Sequence, residues 1–322
     1  MVNDPGTLRI ASRGSQLALW QAESIAAELR RAHPNVTVEI EVIKTTGDRI
    51  QDVPLARIGD RGLFTKEVDE ALLDRRADIA VHSLKDVPTS IPDGLRLAAI
   101  SSREDPRDVM LGPAGSNVSL RNLPSGARVG TSSLRRRAQL HHKRTDLQVV
   151  DLRGNLNTRL ARLDAGDYDA IILAAAGVLR LGWKDRISSY LDTHEWLPAV
   201  GQGALAILAR TEDEATLETL ACLDDPLASA CVRAERAFLR ELEGGCQVPI
   251  AALAKVWDGR LSMEGLVASI DGERCLREHD YGGLTDPEAL GIRLASRLEG
   301  KGAREILRDI REAANPPVIP PP

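Results

Sequence analysis

The feature that most restricts the fold of this chain is a pattern used twice. Arg9-Ile10-Ala11-Ser12-Arg13-Gly14-Ser15 and Arg128-Val129-Gly130-Thr131-Ser132-Ser133-Leu134-Arg135 both run from an apolar segment, through small hydroxyl residues and arginine, into a stretch of helical periodicity. A strand that feeds straight into a helix opens an α/β unit, so a second copy far along the chain implies a second α/β lobe. Backbone amides at a helix N-terminus attract anions, which makes the pattern an anion-binding layout in each lobe.

The flanking sequence extends both copies. In the first, a strand at Leu8 to Ala11 precedes Leu17, Ala18, Ala22, Ile25, Ala26 and Leu29 at helical spacing, and Val36, Val38, Ile40 and Val42 then alternate with polar residues as in a half-buried strand. Phe64, Val68, Ala71 and Leu72 mark another helix, followed by strands at Ile79 to Val81 and Leu95 to Ile100. In the second, strands are expected at Arg128 to Gly130, Leu147 to Asp151 and Ala170 to Leu173, with helices from Ser133 and over Asn155 to Leu163. From about Pro226 the texture changes to a helix, three strands joined at Trp257-Asp258-Gly259-Arg260 and Ile270-Asp271-Gly272-Glu273, and two closing helices. Asp-Gly is a strong hairpin signal. The expected fold class is α/β: two lobes with a central cleft, plus a small α+β C-terminal domain. At 322 residues the chain is long enough for this division.

Two stretches stand outside the pattern. The polar run from Thr45 to Ile58 reads as a lid or a disordered loop, and the proline-rich tail Asn315 to Pro322 as disordered. The longest apolar run, Ala170 to Ala176, is too short to span a bilayer, and the N-terminus carries no export signal, so a cytoplasmic protein is expected. Cys222, Cys231, Cys246 and Cys275 form no C-x-x-C pair and lack histidines at ligand spacing, so neither disulfide nor metal site is expected.

Charge narrows the choice of ligand. The chain carries a net charge of -5, yet Arg128 to Arg144 contains no acid, so its basicity is local. Nucleic-acid grooves interleave basic residues with stacking aromatics, and aromatics make up only 3% of this chain. A small anionic ligand is the better expectation. Arg135, Arg136 and Arg137 fall in the first turn of a helix, where the dipole disfavours cations and a bound anion would reverse the sign. A solvated basic face is the ordinary alternative. Arg153 and Arg180 on the matching edge argue against it, because arginine grips carboxylates through two parallel bonds. No phosphate-cradling glycine loop of the nucleotide-binding kinds is present.

Ser83, Lys85 and Asp86 follow the strand Ile79 to Val81, and Pro88 biases Val87 away from helix. In open α/β sheets that strand end is where ligands bind, although a solvated Lys-Asp pair in a turn is the commoner case. Cys246 sits in the loop Gly244-Gly245-Cys246-Gln247-Val248-Pro249, where a thiol would be accessible. His82, His141 and His142 are assigned no role.

These segments closely resemble the porphobilinogen deaminase family along nearly the whole chain. The resemblance rests on Arg13 to Ala22, Val81 to Pro88, Gly130 to Arg136, Arg153-Gly154-Asn155, Leu197 to Ala204 and Gly244 to Pro249. It implies two lobes like those of periplasmic binding proteins and three domains: residues 1–103 with 204–225, residues 104–203, and residues 226–322. It implies a transferase that deaminates porphobilinogen and joins four units head to tail on a dipyrromethane cofactor, releasing linear hydroxymethylbilane. By the resemblance, Cys246 holds the cofactor through a thioether and Asp86 is the catalytic carboxylate. Ser83, Lys85, Asp86, Thr131, Ser133, Arg135 and Arg136 match cofactor-binding positions, and Arg13, Ser15, Arg153, Asn155, Arg159, Arg180 and Gln202 match substrate-binding ones. A monomer with a small-molecule substrate, and no nucleic-acid or membrane partner, is expected. Arg57 and Arg61 stand where the family usually has lysine, and the 47–58 loop resembles the family's mobile lid.

Overall fold

The computed structural model describes residues 6–45, 65–243 and 248–314. The expectations for Arg57, Arg61, the 47–58 loop, Cys246 and the tail therefore lie outside the described residues.

Three sheets organise the chain. The first contains β1 (Thr7–Arg13), β2 (Thr37–Ile43), β3 (Ile79–Ser83), β4 (Leu95–Ile100) and β10 (Leu205–Arg210), in the order β2-β1-β3-β10-β4. The second contains β5 (Asp108–Leu111), β6 (Arg128–Gly130), β7 (Gln148–Val150), β8 (Ala170–Ala174) and β9 (Ser189–Tyr190), in the order β7-β6-β8-β5-β9. The two are built alike. Three strands run parallel and the fourth, β10 or β5, runs against its neighbours. Each sheet buries apolar side chains on both faces, as a mostly parallel sheet flanked by helices must.

Helix starts obey local chemistry. Ser15 caps the helix Gln16–Ala32 by accepting from Ala18 N, Ser133 caps Leu134–Lys143 by accepting from Arg136 N, and Asn155 caps Leu156–Asp164 by accepting from Thr158 N. Each side chain satisfies an amide that the helix itself cannot. Asp225 does the same for Pro226–Glu241, with Pro226 placed where its missing N–H costs nothing.

The third sheet is the antiparallel meander β11 (Ile250–Trp257), β12 (Arg260–Ala268) and β13 (Cys275–Gly282). Its first turn is the expected two-residue hairpin, with positive φ at Asp258 (49°) and Gly259 (70°). Its second connection is longer, spanning 269–274. One face of the sheet packs on the helices Pro226–Glu241, Pro287–Glu299 and Ala303–Ala314. The other meets Ala138 and Leu197 of the second lobe. Gly272 is required at this junction: at φ +77° a Cβ would lie 2.3 Å from His142 N. His141 and His142 bond Ile270 O and Gly272 O through Nδ1 at 2.9 Å each, so both histidines dock the third sheet.

The sequence reading anticipates the strand-helix succession of each lobe and a chain that crosses between them, but places no strand at 108–111 or 205–210. Strands β5 and β10 lie where the chain passes between lobes, and each becomes the reversed strand of the lobe it enters. Nothing local separates an apolar run that continues a lobe from one that returns to another.

Candidate functional site

The C-terminal ends of the parallel strands from both lobes face one cleft of about 1430 Å³. It is lined by Arg13, Ser15, Ser83, Lys85, Asp86, Thr131, Ser133, Arg135, Arg136, Arg153, Asn155, Arg159, Arg180 and Gln202. Every site residue expected from sequence within the described residues is thus at this cleft. Cys246 lies outside them, but Glu243 and Val248, the described residues nearest it on either side, also line the cleft.

On the first lobe, β3 ends in a 3-10 turn, Leu84–Asp86, which leaves Asp86 exposed. Val87 is extended (φ -85°, ψ 121°), as a residue before proline should be. Arg236, from the helix that supports the third sheet, donates to Val87 O at 3.0 Å and Pro88 O at 2.7 Å and so pins the chain just beyond Asp86. Ser83 Oγ accepts from Gln21 Nε2 at 2.8 Å, and Lys85 Nζ donates to Gln202 Oε1 at 3.3 Å. Burial, and next the Arg136 charge, bring the Lys85 pKa down to about 8. His82, buried behind this edge, is lowered to about 4 by burial and by Arg13, so it is neutral at physiological pH.

On the second lobe the three consecutive arginines separate. Arg137 turns to Asp151 at 3.0 Å and does not line the cleft. Arg135 and Arg136 are buried against Asp108, at 2.7 and 2.8 Å. Burial alone would raise the Asp108 pKa, but the two guanidiniums more than offset it and hold the group well below the usual carboxylate range. Sequence reasoning missed Asp108. Its one signal is a charged residue opening the apolar run Val109-Met110-Leu111, which demands a buried counter-charge. Arg159 donates through Nε to Gly154 O at 2.8 Å, and burial, then Arg136, lower its pKa to about 10. Arg180 donates to Gly203 O at 2.7 Å. Gln202 has its amide fully engaged with protein groups, including Pro106 O at 2.7 Å and Asp108 Oδ1 at 2.9 Å.

The donor set suits a ligand with several carboxylates. Arg136 Nε and Arg153 Nη1 are buried without a hydrogen-bond partner among the described residues, and a buried cationic donor in that state calls for an anion. Around them stand Lys85 and Arg159, whose pKa values are lowered first by burial and next by the Arg136 charge. Asp86, an exposed carboxylate, stands beside these cations, while the exposed Glu70 and Glu243 also line the cleft.

Comparison with known proteins names the ligand. A family model described as "Porphobilinogen deaminase, dipyromethane cofactor binding domain" matches residues 8–218, and one described as "Porphobilinogen deaminase, C-terminal domain" matches residues 229–300. The chain belongs to the porphobilinogen deaminase family. Curated porphobilinogen deaminases similar to it include those of Syntrophobacter fumaroxidans, 49% identical over 95% of this chain and 98% of that one, and Synechococcus elongatus, 51% identical over 98% and 99%. The Geobacter metallireducens enzyme is 50% identical over 98% and 99%. Among solved structures, the periplasmic aliphatic sulphonate binding protein SsuA of Escherichia coli overlaps 74% of this chain and 71% of its own at 16% identity, with a TM-score of 0.38. A score that low carries no argument. Membership of the porphobilinogen deaminase family makes the chain an enzyme of tetrapyrrole biosynthesis with a dipyrromethane cofactor. Pyrroles bearing acetate and propionate groups are the kind of polycarboxylate that the cleft's donors require. No helix among the described residues is long and apolar enough to cross a membrane.

Proposed function

We propose that this cleft deaminates porphobilinogen and condenses four units head to tail onto a dipyrromethane held by Cys246, with Asp86 as the catalytic carboxylate. The observation that carries the reading is the exposed Asp86 standing among Lys85, Arg136, Arg153 and Arg159 in one cleft that both flanks of the Cys246 loop also line. The dipyrromethane supplies a free pyrrole α-carbon as the nucleophile. The protein's part is electrostatic and positional. As ammonia leaves porphobilinogen, positive charge spreads over the substrate pyrrole, and the Asp86 carboxylate stabilises it. The same carboxylate accepts the α-proton after the carbon–carbon bond forms, restoring the aromatic ring.

Arg13, Arg153, Arg159 and Arg180 hold acetate and propionate groups of substrate and growing chain, while Lys85, Arg135 and Arg136 face those of the cofactor. Ser15, Ser133 and Asn155 spend a side-chain oxygen on their helix caps, so they contribute helix N-terminal amides as well as polar contacts. Ser83 and Thr131 add hydroxyls at the strand ends, and Gln202, its amide spent on protein partners, serves substrate binding by holding Lys85. On this reading the domains are residues 1–103 with 204–225, residues 104–203 and residues 226–322. The protein works as a cytoplasmic monomer without nucleic-acid or membrane partner.

Intact mass with an Ehrlich colour test is the direct check. Wild type should exceed the sequence mass by two condensed porphobilinogen units. Cys246→Ser should lose both the excess and the colour, because an alkoxide forms far less readily than a thiolate near neutral pH. Cys222→Ser, Cys231→Ser and Cys275→Ser should keep them. Active protein at the bare sequence mass would refute the covalent attachment.

A further inference from the structure

We infer that Asp108, acting through Gln202, Arg135 and Arg136, is the positioning residue that fixes the cationic wall of the cleft and, with it, the Lys85 ammonium beside Asp86. This rests on the reading of the cleft given above.

Asp108 is the first residue of β5 and is fully buried. Its Oδ1 accepts from Arg136 Nη2 at 2.8 Å and Gln202 Nε2 at 2.9 Å, and its Oδ2 accepts from Arg135 Nη1 at 2.7 Å and Trp196 Nε1 at 2.8 Å. Four donors use the lone-pair sites of a carboxylate, so Asp108 acts through its neighbours and not on a ligand.

Each neighbour is held by a second bond. Arg135 donates to Leu197 O at 2.8 Å and Arg136 to Ile172 O at 2.9 Å. These contacts leave Arg136 Nε as a donor with no partner among the described residues. Gln202 Nε2 also reaches Pro106 O at 2.7 Å, which sets the amide's orientation and turns Oε1 to Lys85 Nζ at 3.3 Å. One buried carboxylate therefore orients two cations of the second lobe directly and one of the first lobe through a single amide. It also offsets part of the charge of two guanidiniums placed side by side, without which their burial would be prohibitive.

The network ties into the crossing between lobes. Arg103 Nε donates to Gln202 O at 2.8 Å while its guanidinium pairs with the buried Glu235 at 2.6 Å. Glu235 in turn accepts from Gly201 N at 2.7 Å and Ala254 N at 2.8 Å. Gln202 is thus held at its backbone by the third sheet's supporting helix and at its side chain by Asp108.

The test reads Lys85 itself. Competitive acylation with acetic anhydride across pH, quantified on the Lys85 peptide, gives the titration midpoint, expected at about 8 in wild type. The charges facing Lys85 are Arg136 and Arg135, which lower its pKa, and Asp86 and Asp108, which raise it. Asp108→Asn removes one raising charge and should move the midpoint to lower pH. Gln202→Leu removes an acceptor of the ammonium while leaving the Asp108–arginine pairs in place, and should move it the same way. In cofactor-bearing protein, each variant should lower kcat at least tenfold. A merely structural Asp108 would reduce thermal stability yet leave the Lys85 midpoint and the kcat of the folded fraction within twofold of wild type, which would overturn the inference. If Asp108→Asn does not fold, Gln202→Leu decides: an unchanged midpoint with unchanged kcat overturns it. A shifted midpoint with undiminished turnover supports the positioning and overturns instead the catalytic reading of the cleft.

Discussion

The two lobes are one design put to different uses. Arg9 on β1 and Arg128 on β6 occupy equivalent places, and each donates its backbone N–H to an aspartate preceding the third parallel strand: Asp78 at 2.9 Å and Asp169 at 2.6 Å. Ser15 and Ser133 cap equivalent helices. The likeness ends where the chemistry begins. The first lobe finishes its third strand with a 3-10 turn that exposes Asp86, whereas the second runs from β8 straight into the helix Ala175–Arg180. The second lobe keeps its carboxylate, Asp108, buried behind its arginines. An exposed carboxylate can meet a developing positive charge. A buried one surrounded by four donors can only orient. On the proposed reading, the same scaffold yields a reacting lobe or a holding lobe according to which strand end carries the acid.

The equivalent aspartates give the most direct way to break that likeness. Asp78 is buried between Arg9 and Arg210, and although Arg210 keeps Asp213 at 2.6 Å, Asp78→Asn removes the charge the two guanidiniums share and should cost about 3 kcal/mol in urea unfolding. A loss below about 1 kcal/mol would show that the pair does not hold the first lobe together.

Asp86→Asn sharpens the contrast in function. Single-turnover rates on cofactor-bearing protein should fall a hundredfold to a thousandfold, on the order of 2.7–4 kcal/mol in barrier, with Asp86→Glu retaining more. A rate within a few fold of wild type would move the chemistry elsewhere in the cleft.

Lysine substitutions probe the holding lobe. Arg153→Lys keeps the charge but loses the fork, so substrate use should weaken by about 1.5–3 kcal/mol, with Arg136→Lys similar. Unchanged KM and unchanged intermediate distribution in both would show that neither arginine grips a ligand carboxylate.

A pH series measures the lysine that joins the lobes. Burial brings the Lys85 pKa from the usual lysine range down to about 8, so free protein loses this charge as pH rises through 8. Carboxylate ligands need it protonated. Their affinity should therefore decline above pH 8, approaching tenfold per unit if Lys85 alone governs it, and be flat in Lys85→Met. Over the same window the unfolded chain binds more protons than the folded one, so this group makes stability rise with pH. The smallest effect is expected at Asp169, whose ion pair with Arg128 is exposed: Asp169→Asn should change stability by about 0.2–1 kcal/mol.

Local chemistry determined much of this protein from the sequence alone. Period and caps mark the helices at Gln16–Ala32, Leu134–Lys143 and Pro287–Glu299, and the Asp258-Gly259 turn marks the first hairpin of the third sheet. Those signals are legible because each depends on residues within a turn or two of one another. The long motifs likewise carried the family and brought the candidate site residues into view. Tertiary structure alone decided the rest. That β5 and β10 become the reversed strands of their sheets, that Arg135 and Arg136 are held by Asp108 while Arg137 leaves the cleft, and that Gln202 links Lys85 to that carboxylate all depend on partners far apart in sequence. A buried charge must find a counter-charge, but the chain written as a string does not say which one the fold will bring to it.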